Sequence, residues 1–148
     1  MRNLLLALCL LSVPALADEV SEKKAVIATI QKLFDAMAAK DTAAIQAVVL
    51  PGTSLSALRP DGQTTVTPIE KFIENIRSAQ GSLVERMWDP KVMVEGNIAT
   101  LWAPYDFHRD GKFTHCGIDV ANLLKTPEGW KIGGLSYTVI QQGCQAPK

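Results

Sequence analysis

The residues able to do chemistry gather between Tyr105 and Asp119, where His108, His115, Asp106, Asp119 and Cys116 all fall. Both histidines of the chain are among them. Histidine is the side chain whose ordinary pKa lies nearest neutrality, so His115 is the natural proton shuttle. Asp106 or Asp119 could orient it, and Asp119 could itself act as an acid or base. Aromatic residues lie among them and just outside. Trp102, Tyr105 and Phe107 are the candidate walls for an apolar ligand. Packing against the core or against a second copy competes for Tyr105 and Trp102. A cross-strand Asp106–His115 pair half in water would contribute under about 1 kcal/mol and need have no function.

A hairpin must position these groups. Asp110-Gly111 favours a two-residue turn whose central positions both take positive φ. That turn predicts a register in which Arg109 faces Lys112, His108 faces Phe113, Asp106 faces His115 and Trp102 faces Asp119. Strand alternation then puts Trp102, Asp106, His115 and Asp119 on one face, with Tyr105, Phe107, Cys116, Ile118 and Val120 on the other. A bulge near Pro104 would carry Tyr105 to the first face. The first face also carries Ala121 and Leu123, so His115 and Asp119 are expected to point into the pocket, while the second face is more apolar still and competes to pack on the helices.

The sequence offers no metal or cofactor chemistry to compete. His115 and Cys116 are neighbours on a strand and point oppositely, and no further His or Cys completes a ligand set. A glycine-rich phosphate loop and a serine-nucleophile elbow are both lacking. No cofactor is expected.

Hydrophobic periodicity supplies the surrounding elements. Val26, Ile30, Leu33, Phe34 and Met37 mark one face of a helix over 18–40. Asp41 caps a second helix, which ends at Pro51-Gly52. Short strands over 53–59 and 63–66 flank Pro60-Asp61-Gly62. Thr67-Pro68-Ile69-Glu70 reads as a capping box opening a third helix. The remainder is strand: 82–95 bent at Pro90, then 98–108, 112–124 and 131–141. Three helices in the first half packed against a curved antiparallel sheet make an α+β fold.

Upstream of this domain, Arg2, the apolar run Leu4–Val13 and the Ala15-Leu16-Ala17 site read as a secretory leader over 1–17. Ten apolar residues are too few to span a bilayer. The mature chain would start at Asp18 and form one domain over 18–148, exported to the periplasm or the medium. Without Arg2 it carries 14 basic and 15 acidic residues, a balance that excludes a basic nucleic-acid surface. No later segment could cross a membrane. Cys116 and Cys144 remain after leader removal, and an even pair in an exported chain predicts a disulfide. Gly143 would let the tail bend back to close it.

In this order of elements the chain resembles the nuclear-transport-factor-2-like, or SnoaL-like, superfamily. The matching details are Ala99–Trp102, Pro104-Tyr105-Asp106-Phe107, the turn, His115-Cys116-Gly117-Ile118-Asp119 and Gly129-Trp130-Lys131-Ile132. The resemblance implies a cone: a sheet curled round a pocket for a small molecule, closed by helices. It also implies a homodimer, which is common in the superfamily. Members include isomerases, cyclases, dehydratases and proteins without known reactions, so acid/base catalysis and non-catalytic binding or protein interaction both stand open. One departure matters. Isomerase-like members place an Asp base near the early strands. Here Asp61 is the sole acid between Asp41 and Glu70, and a turn explains it.

Overall fold

The structure is a computed structural model and describes residues 14–144. The segment read as a leader lies outside the described residues, apart from the backbone of 14–17, which opens the first helix. Three helices pack against a seven-stranded mixed sheet, an α+β architecture.

Helix α1, Pro14–Ala39, buries the expected stripe of Val26, Ile30, Leu33, Phe34 and Met37. Helix α2, Thr42–Val48, starts where Asp41 accepts a hydrogen bond from the Ala44 amide at 3.0 Å. Strands β1, Ser54–Leu58, and β2, Thr64–Pro68, form a hairpin. Helix α3, Ile69–Ser78, follows directly. The expected capping box does not form there. Thr67 pairs with Leu55 as part of β2, Pro68 takes the cap position, and the Ile69 amide donates to the Thr53 carbonyl at 2.9 Å. Sheet pairing outcompeted the local cap.

The region expected as one bent strand is two: β3, Leu83–Met87, and β4, Lys91–Glu95, separated at Asp89-Pro90, where Asp89 has φ 46°. Both pair with the long β5, Ile98–Arg109, one at each end. Strands β6, Lys112–Thr126, and β7, Gly129–Thr138, complete the meander. The sheet order is β2-β1-β7-β6-β5-β3, and the β1–β7 pair is parallel. Trp130 Nε1 and Lys125 Nζ both donate to the Glu22 carboxylate at 2.8 Å, which ties α1 to the far end of the meander.

Candidate functional site

The turn behaves as its residues predict. Asp110 and Gly111 have φ of 51° and 71°, and Arg109 faces Lys112 while His108 faces Phe113. Beyond that point the expected register fails. Thr114 is an extra residue in β6, so Phe107 faces His115, Asp106 faces Cys116, and Ala103 faces Asp119. A bulge of this kind exchanges faces for everything beyond it on the partner strand. Tyr105 and Phe107 therefore share a face with His115 and Asp119, while Trp102 and Asp106 move to the other. The bulge lies at the turn end of the hairpin rather than near Pro104.

The inner face, towards the helices, carries Leu101, Ala103, Tyr105 and Phe107 from β5 opposite Ala121, Asp119, Gly117 and His115 from β6. Helices α1 and α3 stand over it. Between them lies a cavity of about 180 Å³, lined by Met37, Leu55, Phe72, Ile76, Glu85, Tyr105, Phe107, His115, Leu135 and Tyr137. Its walls are aromatic. Tyr105 meets His115 edge to face with centroids 5.8 Å apart, and Tyr137 likewise at 6.2 Å. Phe107 lies tilted against His115 at 5.2 Å.

His115 is oriented by the bulge that placed it. The Thr114 hydroxyl donates to the Phe107 carbonyl at 2.9 Å and lies 2.9 Å from His115 Nδ1. Its single proton is thus committed, so Nδ1 must carry a hydrogen and donate to Thr114 Oγ1. Nε2 is left as an unprotonated acceptor. Burial, and then the charge of Arg59, push the imidazole pKa below its usual value and keep the ring neutral.

Behind the aromatic walls sits a pair of carboxyls. Asp119 is 1% exposed, and neither of its oxygens receives a hydrogen bond from an N–H or hydroxyl among the described residues. The side chain that meets it is Glu85, from β3. Two buried carboxyls this near each other repel once both are ionised, so the pair favours keeping a proton. Burial pushes the Asp119 pKa up to about 7, opposed by the bond from Glu85. Burial and the charge of Asp119 push Glu85 well above the ordinary carboxylate range. Glu85 is only half-buried in surface terms because one side of it opens onto the cavity. Tyr105 is secured by donating to the Thr138 carbonyl at 2.9 Å, and burial raises its pKa.

That close approach depends on Gly117. A Cβ there would lie 1.9 Å from the Thr138 carbonyl oxygen. The glycine lets the end of β7 cross tightly over β6, which brings the Tyr105 hydroxyl within reach.

Two candidates lie on the opposite face of the sheet, for the reason given by the bulge. Asp106 is held on the opposite face by Arg86, whose Nε donates to it at 2.8 Å, and by His108 Nε2 at 3.2 Å. Arg86, and secondarily His108, hold its carboxyl below the usual range against the effect of burial. Asp106 is therefore one member of an ion-paired cluster and does not orient His115. Trp102 is 39% exposed and borders an open groove on that same face with Leu58, Ile118 and Val120. Cys116, also on that face, forms a disulfide with Cys144, with Cα atoms 6.0 Å apart and Gly143 at φ 75°.

Glu85 and Tyr137 were not anticipated. A signal for Glu85 exists: Leu83, Glu85 and Met87 share one face of β3, and an acid between two apolar residues on a buried face calls for a partner. Tyr137 lies in β7, where only the alternation with Leu135 points it inward.

Comparison with known proteins agrees with this architecture. The family model described as "Putative lumazine-binding" matches residues 21–137. The chain belongs to that family. Its fold is that of nuclear-transport-factor-2-like proteins, and 337 solved chains match it. One, an NTF2-like protein of unknown function from Shewanella baltica, is 17% identical with a TM-score of 0.64, covering 83% of this chain and 97% of its own. A "putative dehydratase" of Streptomyces avermitilis is 14% identical with a TM-score of 0.67, over 82% of this chain and 98% of its own. An NTF2-like protein with a cystatin-like fold from Novosphingobium aromaticivorans is 14% identical with a TM-score of 0.71, over 90% and 94%. At such identities these likenesses concern the fold alone. No curated protein matches the chain. Among the described residues no helix is long and apolar enough to cross a membrane.

Proposed function

We propose that this domain binds a small, largely apolar molecule in the cavity between α1, α3 and the inner face of the sheet. The observation that carries the reading is a ring-lined cavity that opens onto Glu85, in front of an Asp119 carboxyl that has no hydrogen-bond partner among the described residues. A volume of about 180 Å³ is below the roughly 300 Å³ where pockets for drug-sized molecules begin. The ligand then has on the order of ten non-hydrogen atoms. The name of the family supports a compact ring system. Phe72, Tyr105, Phe107 and Tyr137 supply its apolar contacts, and Glu85 and His115 Nε2 its polar ones. Lumazine and other small ring compounds, titrated against labelled protein by NMR, test this. Shifts should concentrate on the cavity lining and disappear in Leu135→Trp, which fills the space. Shifts confined to the Trp102 groove would overturn it.

A second reading has its own support. His115 Nε2 accepts protons, and the Glu85–Asp119 pair holds one that it releases near neutrality, the arrangement that acid/base catalysis requires. In an isomerisation or dehydration His115 would take a proton from the substrate and the pair would deliver one. Exchange of a bound ketone's acidic C–H hydrogens into deuterated solvent reads this out. Wild type should accelerate exchange and His115→Ala should not. If wild type gives no acceleration, binding alone remains.

Export belongs to the same proposal. The Cys116–Cys144 bond suits an oxidising compartment, and the leader over 1–17 would deliver a single domain of 18–148 there. The exposed sheet face carrying Trp102 is the surface through which a homodimer would form.

A further inference from the structure

Size bounds the ligand loosely; the chemistry of the lining bounds it more tightly. The polar groups of the cavity are few. The Tyr105 hydroxyl proton is committed to the Thr138 carbonyl, and the His115 Nδ1 proton to Thr114. What remains for a ligand is His115 Nε2, the Glu85 carboxyl and the Tyr137 hydroxyl. Among the described residues the lining includes no lysine or arginine to neutralise Glu85 or the Asp119 carboxyl behind it. Four rings stand around this acidic floor, and Tyr105 lies nearly perpendicular to both Tyr137 and His115, at 86° and 81°. Where one of these rings turns its negative π-face to the space, a positive charge over it is favoured, while a positive ring edge gives no such attraction. A carboxyl pair that shares a proton is the complementary partner, since a cation beside it removes the cost of full ionisation.

We propose that the cavity takes a small organic cation, a protonated amine or quaternary ammonium group, held among Phe72, Tyr105, Phe107 and Tyr137 above the Glu85–Asp119 carboxyl pair. The proposal rests on the reading of this cavity as the ligand site. It specifies the charge that the ligand brings.

The surrounding charges are few. Strand β5 presents Tyr105 to the pair. Asp106 lies on the far face of that strand, paired with Arg86, and its charge adds to the rise at Glu85. Strand β6 contributes neutral His115, and β7 contributes Tyr137. The lining side chains of α1 and α3 are Met37, Phe72 and Ile76, which bring no charge. Arg59, just after β1, acts on His115 and Tyr137. It is exposed, so water and salt weaken its opposition to a cation. Cation binding should therefore draw the last proton from the pair and strengthen as the pH rises.

Choline, its uncharged carbon isostere neohexyl alcohol, and the tert-butylacetate anion share one shape and differ in charge. Their affinities are measured by NMR titration at about pH 5.5 and about pH 8. A plain apolar pocket prefers the alcohol. The proposal expects choline to bind at least about tenfold more tightly than the alcohol at the higher pH. Choline should weaken by up to about tenfold per unit as the pair is protonated, and the anion should not bind. The double variant Glu85→Gln/Asp119→Asn should keep the alcohol and lose the preference for choline. Alcohol binding as tight as choline at the higher pH, or choline affinity that ignores pH in the wild type, overturns the cationic ligand and leaves the cavity a binding site. If no probe shifts the cavity residues, both readings fall. The wild-type pH comparison decides the matter even if the double variant does not fold.

Discussion

Replacing Asp119 by Asn should stabilise the protein at alkaline pH, and the gain should shrink steadily as the pH falls towards about 4. The folded carboxyl titrates at about 7 against an ordinary 3.8 because burial disfavours its charge. Below pH 3.8 it is protonated folded or unfolded and contributes no pH dependence. Between those values the unfolded chain is ionised while the folded one keeps its proton. The native state binds more protons there, so stability falls as the pH rises. Above about 7 both forms are ionised and the cost reaches its plateau. The full shift corresponds to about 4 kcal/mol. Sharing a proton with Glu85 spreads the titration over both groups, so about 2–4 kcal/mol is the expected gain for Asn at pH 8. Asn keeps a carbonyl to accept the Glu85 proton, so the site retains its bond. His115 works in the opposite sense. Its folded pKa is lowered, so the unfolded chain takes up a proton first, and that loss of stability appears as pH falls through 6.5. It acts in both proteins, which is why the informative quantity is variant minus wild type. Urea unfolding with the disulfide intact, at intervals from pH 5 to pH 8, measures it. A difference independent of pH, or an Asn variant less stable at pH 8, would refute the reasoning.

Gly117→Ala should cost more than about 2 kcal/mol, because the added carbon meets backbone at 1.9 Å rather than a movable side chain; a thermal melt unchanged from wild type would contradict it. Removing the disulfide with Cys116→Ala/Cys144→Ala opens a link across 28 residues and should cost about 3–4 kcal/mol of urea stability. A midpoint insensitive to reductant in the wild type would count against that figure. Intact mass of the exported protein should begin at Asp18, and retention of residues 1–17 would remove the leader and the argument for an oxidising compartment.

The outline of the fold was legible because it rests on repeated local signals. The α1 stripe, the Asp41 cap and the Asp110-Gly111 turn each say what the backbone does there, and each holds. The site was less legible because it depends on pairing between strands. Thr114 offers no local sign that it will bulge, since its hydroxyl finds the Phe107 carbonyl and His115 only once β5 lies alongside. That single residue decided which face Tyr105, Phe107, Asp106 and Trp102 occupy. His115 and Asp119 were placed together correctly because both lie on the same side of the bulge and their spacing alone relates them. Glu85 was missed because its partner is 34 positions away in the chain and meets it only through the sheet. The Thr67 cap failed where a long-range pairing competed with a local bond.

The carboxyl pair is the centre of the account, and its protonation can be observed directly. Carbon-13 labelled side-chain carboxyls of Glu85 and Asp119, assigned by their loss in Glu85→Gln and Asp119→Asn, can be titrated by NMR in the unliganded protein. The pair should keep both protons through mild acid, give up the first near pH 7, and hold the second well above the ordinary carboxylate range. Two carboxyls that have both ionised by about pH 5, as ordinary surface acids do, would contradict it.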